Sequence, residues 1–314
     1  MPNLASSNGC TRTFTDRHIH GIAGVDFATS SVEEIRVALE FLASRRTDRV
    51  TASIPTMPGA EIAAVLSRLS ALVKEQLLTG VHLEGPFLAP DFAGAHPRQN
   101  ILSPSSREGQ TFLETVLQYQ AHQPLVPMMT VAPETAGFDA LVDQLVAHGI
   151  LPALGHTGAT GQQMWQGIET VHQRTGQPVV ITHLYNAMRG FHHRDPGPAF
   201  AVVEAAAEHK VIVELIADGF HLDQNLIAWW LRHYPQAVRL VSDASAATLP
   251  AGTAPLSAAR PRLGQVPLHY PGGDGPLLDD GRTLASGGQD LFGIHDALVG
   301  AGLDHDLVCA AMQP

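Results

Sequence analysis

Basic residues are scarce in this chain. Lys+Arg total 19 against 30 Asp+Glu, for a formal net charge of -11. Nucleic-acid binding needs a cationic face, so the balance argues against a nucleic-acid partner. It leaves room for an anionic small substrate, because one local arginine outweighs a distant negative field. Cysteine is rarer still. Cys10 and Cys309 stand near opposite ends and form no metal-type pair. That usage fits a reducing compartment better than a disulfide scaffold. No apolar run approaches the length of a membrane span, and residues 1–12 carry no apolar signal core. The expectation is a soluble protein of the cytoplasm without a membrane partner.

What the chain does have is length and apolar content. Its 314 residues, 45% hydrophobic, suffice for one large α/β domain. Residues 1–12, rich in Ser, Asn and Thr, read as a flexible arm ahead of a domain over 13–314. Strands are expected at 14–20, 49–56, 80–84, 125–131, 151–154, 179–182, 211–216 and 238–241. Helices are expected between them, at about 31–45, 59–76, 107–122, 138–148, 161–174, 199–209 and 226–233. Residues 88–106 form a loop too long for a simple connector. Residues 246–285 read as a Pro- and Gly-rich loop or short hairpin, followed by helices at 289–300 and 304–312. Eight strands alternating with helices is the pattern of a (β/α)8 TIM barrel. An open doubly wound sheet would show a Gly-rich turn after its first strand, and HxHG stands there instead.

The chemistry centres on Gly80-Val81-His82-Leu83-Glu84-Gly85-Pro86-Phe87. Side chains alternate along a strand, so His82 and Glu84 share a face, with His82 one pleat deeper, where it reads as a packing or supporting residue. A carboxylate at the end of a buried strand is costly unless something cationic meets it. Alone, Glu84 would read as half of a structural ion pair, and any single histidine as a satisfied structural residue. The set changes that reading. His18, His20, His156, His183 and Asp243 also fall at strand ends, and barrel strand ends converge on one face. Imidazole and carboxylate suit Zn²⁺ first, and also Fe²⁺, Co²⁺ or Mn²⁺. The expectation is one or two divalent ions held by His18, His20, Glu84, His156 and His183. Such an ion lowers the pKa of a bound water to about 7. Asp243 beside that water is the candidate general base and, later, acid.

HxHG at His18, HLEGPF from His82, GHTGAT from Gly155, THLYNAM from Thr182, ADGFH from Ala217 and VSDAS from Val241 follow one another in that order. Together they resemble the N-acetylglucosamine-6-phosphate deacetylase family of the amidohydrolase superfamily. The resemblance runs from about Asp16 to the C-terminus, and HLEGPF with THLYNAM is its most specific part. It implies a metal-dependent barrel that removes acetyl from N-acetylglucosamine 6-phosphate. By position, Glu84, His156 and His183 match a single-metal site, and His18 and His20 an additional one. Asp243 matches the catalytic acid/base. Asn186, the backbone of Ala187, and Arg194 match phosphate contacts. His96 and His221 match contacts to the sugar or the scissile carbonyl. Arginine is a natural bidentate phosphate partner, although Arg194 alone would pass for a solvated loop residue. Asp218 reads as loop support, and His192 and His193 as solvent-facing.

Two other readings stand beside this one: a deacylase of another N-acyl amino sugar or N-acyl amine, and a non-catalytic sugar-phosphate-binding relative. The sequence also departs from the family. GHTGAT replaces the more usual GHSNAT, and Leu284-Ala285-Ser286-Gly287-Gly288 stands where LAGS is usual. The family's small β-sandwich, built from segments on both sides of the barrel, is expected to be missing. Another surface, or a homodimer contact, is then expected to cover what that sandwich would bury.

Overall fold

The computed structural model describes residues 13–269 and 275–313. The expected arm at 1–12 lies outside the described residues. Eight parallel strands form one sheet in strictly sequential order. They are β1 Phe14–Ile19, β2 Thr47–Pro55, β3 Gly80–Glu84, β4 Met128–Val131, β5 Leu151–Leu154, β6 Val179–Ile181, β7 Val211–Ile216 and β8 Val238–Val241. The sheet curls back on itself. The N–H of Asp243, just past β8, donates to the carbonyl of His18 on β1 at 2.9 Å, and that of His20 donates to Ala244 at 2.7 Å. The expected (β/α)8 barrel is thus the observed fold.

The helices sit outside and seal the strands from water. They are α1 Val32–Ser44, α2 Gly59–Lys74, α3 Arg107–His122, α4 Phe138–Ala147, α5 Gly161–Thr175, α6 Gly197–Ala207, α7 Gln224–His233, α8 Leu291–Gly300 and α9 His305–Ala311. In α2, Ile62, Val65, Leu66, Leu69 and Leu72 are buried, a single stripe at helical spacing laid against the barrel. Side-chain caps fix the starts of α1, α3, α5, α7, α8 and α9. Ser31 with Glu34, and Thr160 with Gln163, form reciprocal capping boxes on α1 and α5. With helices outside, strands are buried on both faces and read as near-continuous apolar runs, as VIVELI in β7 does.

Boundaries shift where a backbone donor or a stop signal dictates. The fourth strand begins at Met128 rather than Leu125 because Pro127 has no N–H for the ladder. The sixth helix begins at Gly197, two residues early, with Pro198 in its first turn. The long 88–106 loop carries two short 3₁₀ turns, Pro90–Phe92 and Arg98–Asn100. Within 246–285 a hairpin pairs Arg262–Leu263 with Val266–Pro267. The sequence reading did not foresee the small ribbon pairing Gly21–Ile22 with Val25–Asp26. Among the described residues, named strands outside the barrel form only these two ribbons. No described helix is long and apolar enough to cross a membrane.

Register places the site. Ser53 pairs with His82 and Pro55 with Glu84, and Glu84 pairs with Thr130, so β2 and β3 end level and β4 runs one residue farther. Past the rim the chain repeats an offset. His156, His183, Asp218 and Asp243 each come two residues after the last residue of β5, β6, β7 and β8.

Candidate active site

The strand-end side chains meet in one buried cluster around Glu84. Its Oε1 lies 2.8 Å from Nε2 of both His156 and His183. Its Oε2 lies 3.2 Å from Nε2 of His20 and of His96. Asp243 Oδ1 closes the other side, 3.2 Å from His20 Nε2 and 3.5 Å from His18 Nε2. His18 Nε2 is 3.7 Å from Glu84 Oε1. His18, His20, Glu84, His96, His156, His183 and Asp243 are all buried.

The partners of the far ring nitrogens fix what each near nitrogen offers. His20 Nδ1 faces the carbonyl of Ser53 at 3.0 Å, and His156 Nδ1 that of Phe92 at 2.9 Å. His18 Nδ1 faces Glu214 Oε2 at 3.1 Å. These oxygens only accept, so each Nδ1 carries the proton and each Nε2 presents a lone pair inward. The result is an excess of acceptors. His156 and His183 turn Nε2 atoms toward each other at 3.2 Å, and the buried Nε2 of His18 has no hydrogen-bond partner. Lone pairs and two carboxylates gathered in a dry site require a cation. The donor set fits a divalent metal such as Zn²⁺, and clusters of ligand-type atoms within 4.8 Å occur at His18/His20/Asp243, at His18/Glu84/His183 and at Glu84/His96/His156.

The electrostatics agree. Burial opposes ionisation of Glu84, but the imidazoles of His96 and His18 overcome it and hold the carboxyl well below its usual range. Asp243 is likewise lowered despite burial, by the His20 hydrogen bond and the field of His18. Burial works against a charged His20, yet Asp243 and Glu84 carry that ring up to about 9, so with no other cation present a proton on Nε2 takes the place that a metal ion would fill.

His96 differs from the others. The N–H of Thr56 donates to its Nδ1 at 3.0 Å, so a neutral His96 carries its proton on Nε2 and is a donor rather than a ligand. His221 stands at the edge of the site with Nδ1 2.9 Å from Asp218 Oδ2. Asp218 also accepts the backbone N–H groups of Phe220, His221 and Gly288, which is the loop-supporting role read from the sequence. Gly287 must be glycine, since a Cβ there would lie 1.8 Å from the carbonyl of Ser242. Its N–H donates to the Asp243 carbonyl at 2.6 Å, which locks the Asp243 turn.

The expected phosphate contacts lie farther out. Asn186 and Ala187 follow His183 on a half-buried turn, with the N–H of Asn186 on the His183 carbonyl at 2.9 Å. An ideal Cβ on Gly94 would lie 3.5 Å from Ala187 Cβ and 3.3 Å from the His156 ring, so Ala187 borders the cluster. Arg194 is exposed, with Nη1 3.1 Å from His193 Nε2.

Three supporting groups escaped the sequence reading. Glu214 lies beneath His18, deep in an apolar strand whose pattern gave no sign of chemistry. Glu134 braces the GHTGAT turn, with Oε2 taking Thr157 Oγ1 and Oε1 the N–H of Gly158, both at 2.6 Å. Arg189 forms a bidentate pair with Asp195 at 2.8 and 3.1 Å, which pins the loop that carries Arg194. His82 behaves as expected, bonded to Ser53 Oγ at 2.9 Å and Thr130 Oγ1 at 2.7 Å, one layer below the cluster. The rim is also strained. His156, His183 and Asp243 have φ of 47°, 26° and 48°, a region that costs a non-glycine residue roughly 1–3 kcal/mol.

Fold and site together define an amidohydrolase-type barrel. No family model matches the chain. The chain is 32% identical over 238 residues to the N-acetylglucosamine-6-phosphate deacetylase of Vibrio furnissii, covering 74% of this chain and 56% of that protein. It is 33% identical over 214 residues to the Bacillus subtilis enzyme of the same name, covering 66% and 50%. In three dimensions it is similar to a variant of the Mycobacterium smegmatis N-acetyl-D-glucosamine-6-phosphate deacetylase, solved with N-acetyl-D-glucosamine-6-phosphate. That match has a TM-score of 0.80 at 30% identity and covers 96% of this chain and 74% of that one. The chain belongs to the N-acetylglucosamine-6-phosphate deacetylase family. It spans about half the length of the curated relatives it matches.

Proposed function

We propose that this chain hydrolyses the acetamide of N-acetylglucosamine 6-phosphate to glucosamine 6-phosphate and acetate. The observation that carries the reading is the buried convergence of imidazole lone pairs on Glu84 and Asp243, an arrangement balanced only by added positive charge. Glu84, His156 and His183 would hold one divalent ion, and His18 and His20 would contribute to a second position. Zn²⁺ is the first candidate, with Fe²⁺, Co²⁺ and Mn²⁺ compatible with the same donors. When bound, such an ion supplies Lewis acidity and lowers the pKa of water in its shell.

The remaining work falls to the protein's own groups. Asp243, lowered in pKa and therefore a carboxylate at neutral pH, takes the proton from the attacking water. It then delivers that proton to the departing amine. The Nε2–H of His96 and the protonated His221, whose Nδ1 proton is held by Asp218, supply hydrogen bonds to the carbonyl oxygen as negative charge develops there. Asn186, the N–H of Ala187 and Arg194 receive the phosphate.

Acetate release from N-acetylglucosamine 6-phosphate, measured alongside bound metal, tests the proposal. Turnover that tracks metal content supports it, and metal-replete protein without turnover refutes it. The exposure of Arg194 favours one second reading, hydrolysis of an N-acyl amine that lacks phosphate. Equal rates on phosphorylated and plain N-acetylglucosamine, with Arg194→Ala harmless to both, would select that reading. The proposed setting is the cytoplasm, and the proposed assembly a homodimer. Phe191 and Phe200, 64% and 43% exposed with rings 6.3 Å apart, offer apolar area for such a contact. Light scattering that finds a monomer removes the dimer.

A further inference from the structure

A second group of ligand-type side chains lies on the last two helices, away from the barrel mouth. His295 is on α8, and His305 and Cys309 sit one turn apart on α9. The Nε2 atoms of both imidazoles lie 3.6 Å from Cys309 Sγ. All three atoms are within 4.8 Å of one another. Each far nitrogen meets the carboxylate of the following residue. His295 Nδ1 is 3.0 Å from Asp296 Oδ1, and His305 Nδ1 is 3.1 Å from Asp306 Oδ1. A carboxylate only accepts, so each Nδ1 carries the proton and each Nε2 turns a lone pair toward the sulfur. A cation at the centre of the three atoms would be met by both lone pairs and by the sulfur.

The spacing matches that chemistry. In a tetrahedral shell with Zn–S of about 2.3 Å and Zn–N of about 2.0–2.1 Å, sulfur and nitrogen ligands sit roughly 3.6 Å apart. Imidazole backed by carboxylate is also how metal-binding histidines are held in orientation. Cys309 and His295 are each only 6% exposed, and the His295 ring packs 5.4 Å from Phe14 at the start of β1. His305 is partly exposed and gives a path from solvent.

We propose that His295, His305 and Cys309 form a second metal site, for Zn²⁺ or another thiophilic divalent cation, which clamps α8 to α9 beside the first barrel strand. Thiolate with imidazole selects such ions over Mg²⁺ or Ca²⁺. The site shares no residue with the cluster around Glu84, so it stands whether or not the chain is a deacetylase.

The test uses the full chain loaded with Co²⁺. A thiolate ligand gives a near-ultraviolet charge-transfer band, and the barrel-mouth cluster contains no sulfur, so the band reports this site. Wild-type protein should show the band. Cys10→Ser should keep it, and Cys309→Ser should lose it together with one equivalent of bound metal. His305→Ala alters a partly exposed position and should leave the fold intact. Removal of that direct ligand should weaken cobalt binding by at least the roughly 10–100-fold seen when a ligand's supporting partner is removed. Absence of the band from wild-type protein, its persistence in Cys309→Ser, or its loss in Cys10→Ser overturns the proposal.

Discussion

The N–H of Thr56 donates to Nδ1 of His96 at 3.0 Å, while the other nitrogen of that ring sits 3.2 Å from Glu84 Oε2. One backbone donor thereby separates His96 from His18, His20 and His156, whose Nδ1 atoms face acceptors instead. A neutral ring fixed with its proton on Nε2 can stabilise developing negative charge but cannot ligate a metal. His96→Gln should therefore keep the metal content of the parent and lower kcat by roughly 10²–10³-fold, the range for loss of one oxyanion donor. Elemental analysis beside steady-state kinetics decides the point. Loss of bound metal in this variant would make His96 a ligand instead.

The Asp218–His221 pair sets a pH dependence. Burial alone would push the His221 pKa down, but Asp218, 2.9 Å away, more than offsets this and leaves it raised above 6.5. Asp218 is buried too, and the His221 hydrogen bond leaves its own pKa lowered. With its Nδ1 proton held by Asp218, His221 donates from Nε2 only when protonated, so kcat/KM should fall as pH rises through the raised value. Asp218→Asn removes the offsetting charge and should move that alkaline limb to lower pH. A limb that stays in place would show that His221 does not act in the reaction. Stability follows the same signs. The His221 share is complete below its unfolded value of 6.5 and is lost as pH rises through the folded value. The Asp218 share is present above its unfolded value of 3.8 and is lost as pH falls through its lowered one.

Glu214 accepts from His18 Nδ1 at 3.1 Å and is 1% exposed. Its charge makes the imidazole a better ligand and holds the ring toward Asp243. Glu214→Gln keeps an oxygen acceptor but removes the charge, so metal affinity at the His18/His20 position should fall by roughly 10–100-fold. Competition with a graded chelator measures this. Unchanged affinity would reduce Glu214 to a packing residue.

Asp243 is the group with the most to lose. Asn in its place keeps the shape and the N–H to the His18 carbonyl, and removes the proton acceptor. Asp243→Asn should lower acetate release by roughly 10²–10⁴-fold, the usual worth of a positioned acid/base. The fold and most of the bound metal should survive. Undiminished release would assign the proton transfer elsewhere.

How far the sequence revealed these parts depends on where each signal lies. The barrel was legible because alternating apolar runs and capped helices repeat along the chain, and strand ends in such a barrel converge. His18, His20, Glu84, His156, His183 and Asp243 could be gathered on that basis alone. Glu214 and Glu134 could not, because their roles depend on which residue lies beneath or beside them in space. Arg189 was hidden for the same reason, since its pairing with Asp195 depends on the shape of a loop. The tautomer of His96 rests on one backbone N–H from the neighbouring strand end, and no local pattern encodes it.

Helix ends were misjudged for a more local reason, which itself can be tested. The sequence predicts helices reaching 76 and 209, whereas α2 and α6 end at Lys74 and Ala207. The usual stop signal is a glycine in the left-handed conformation just past the cap, and here Gln76 and His209 occupy that place with φ of 61° and 57°. After α2 the motif is complete. The N–H of Leu77 reaches the Leu72 carbonyl at 3.0 Å, and that of Gln76 reaches Val73 at 3.0 Å. The side chain of Gln76 is exposed, so its main effect is the strain of a Cβ in a region that costs roughly 1–2 kcal/mol. Glycine removes that strain but gains freedom in the unfolded chain, a counter-effect of roughly 0.4–1 kcal/mol. Gln76→Gly should therefore stabilise the protein by a net of up to about 1.6 kcal/mol, seen as a higher denaturation midpoint with an unchanged slope. A lower midpoint would mean that the Gln76 side chain contributes more to the native turn than its conformation costs.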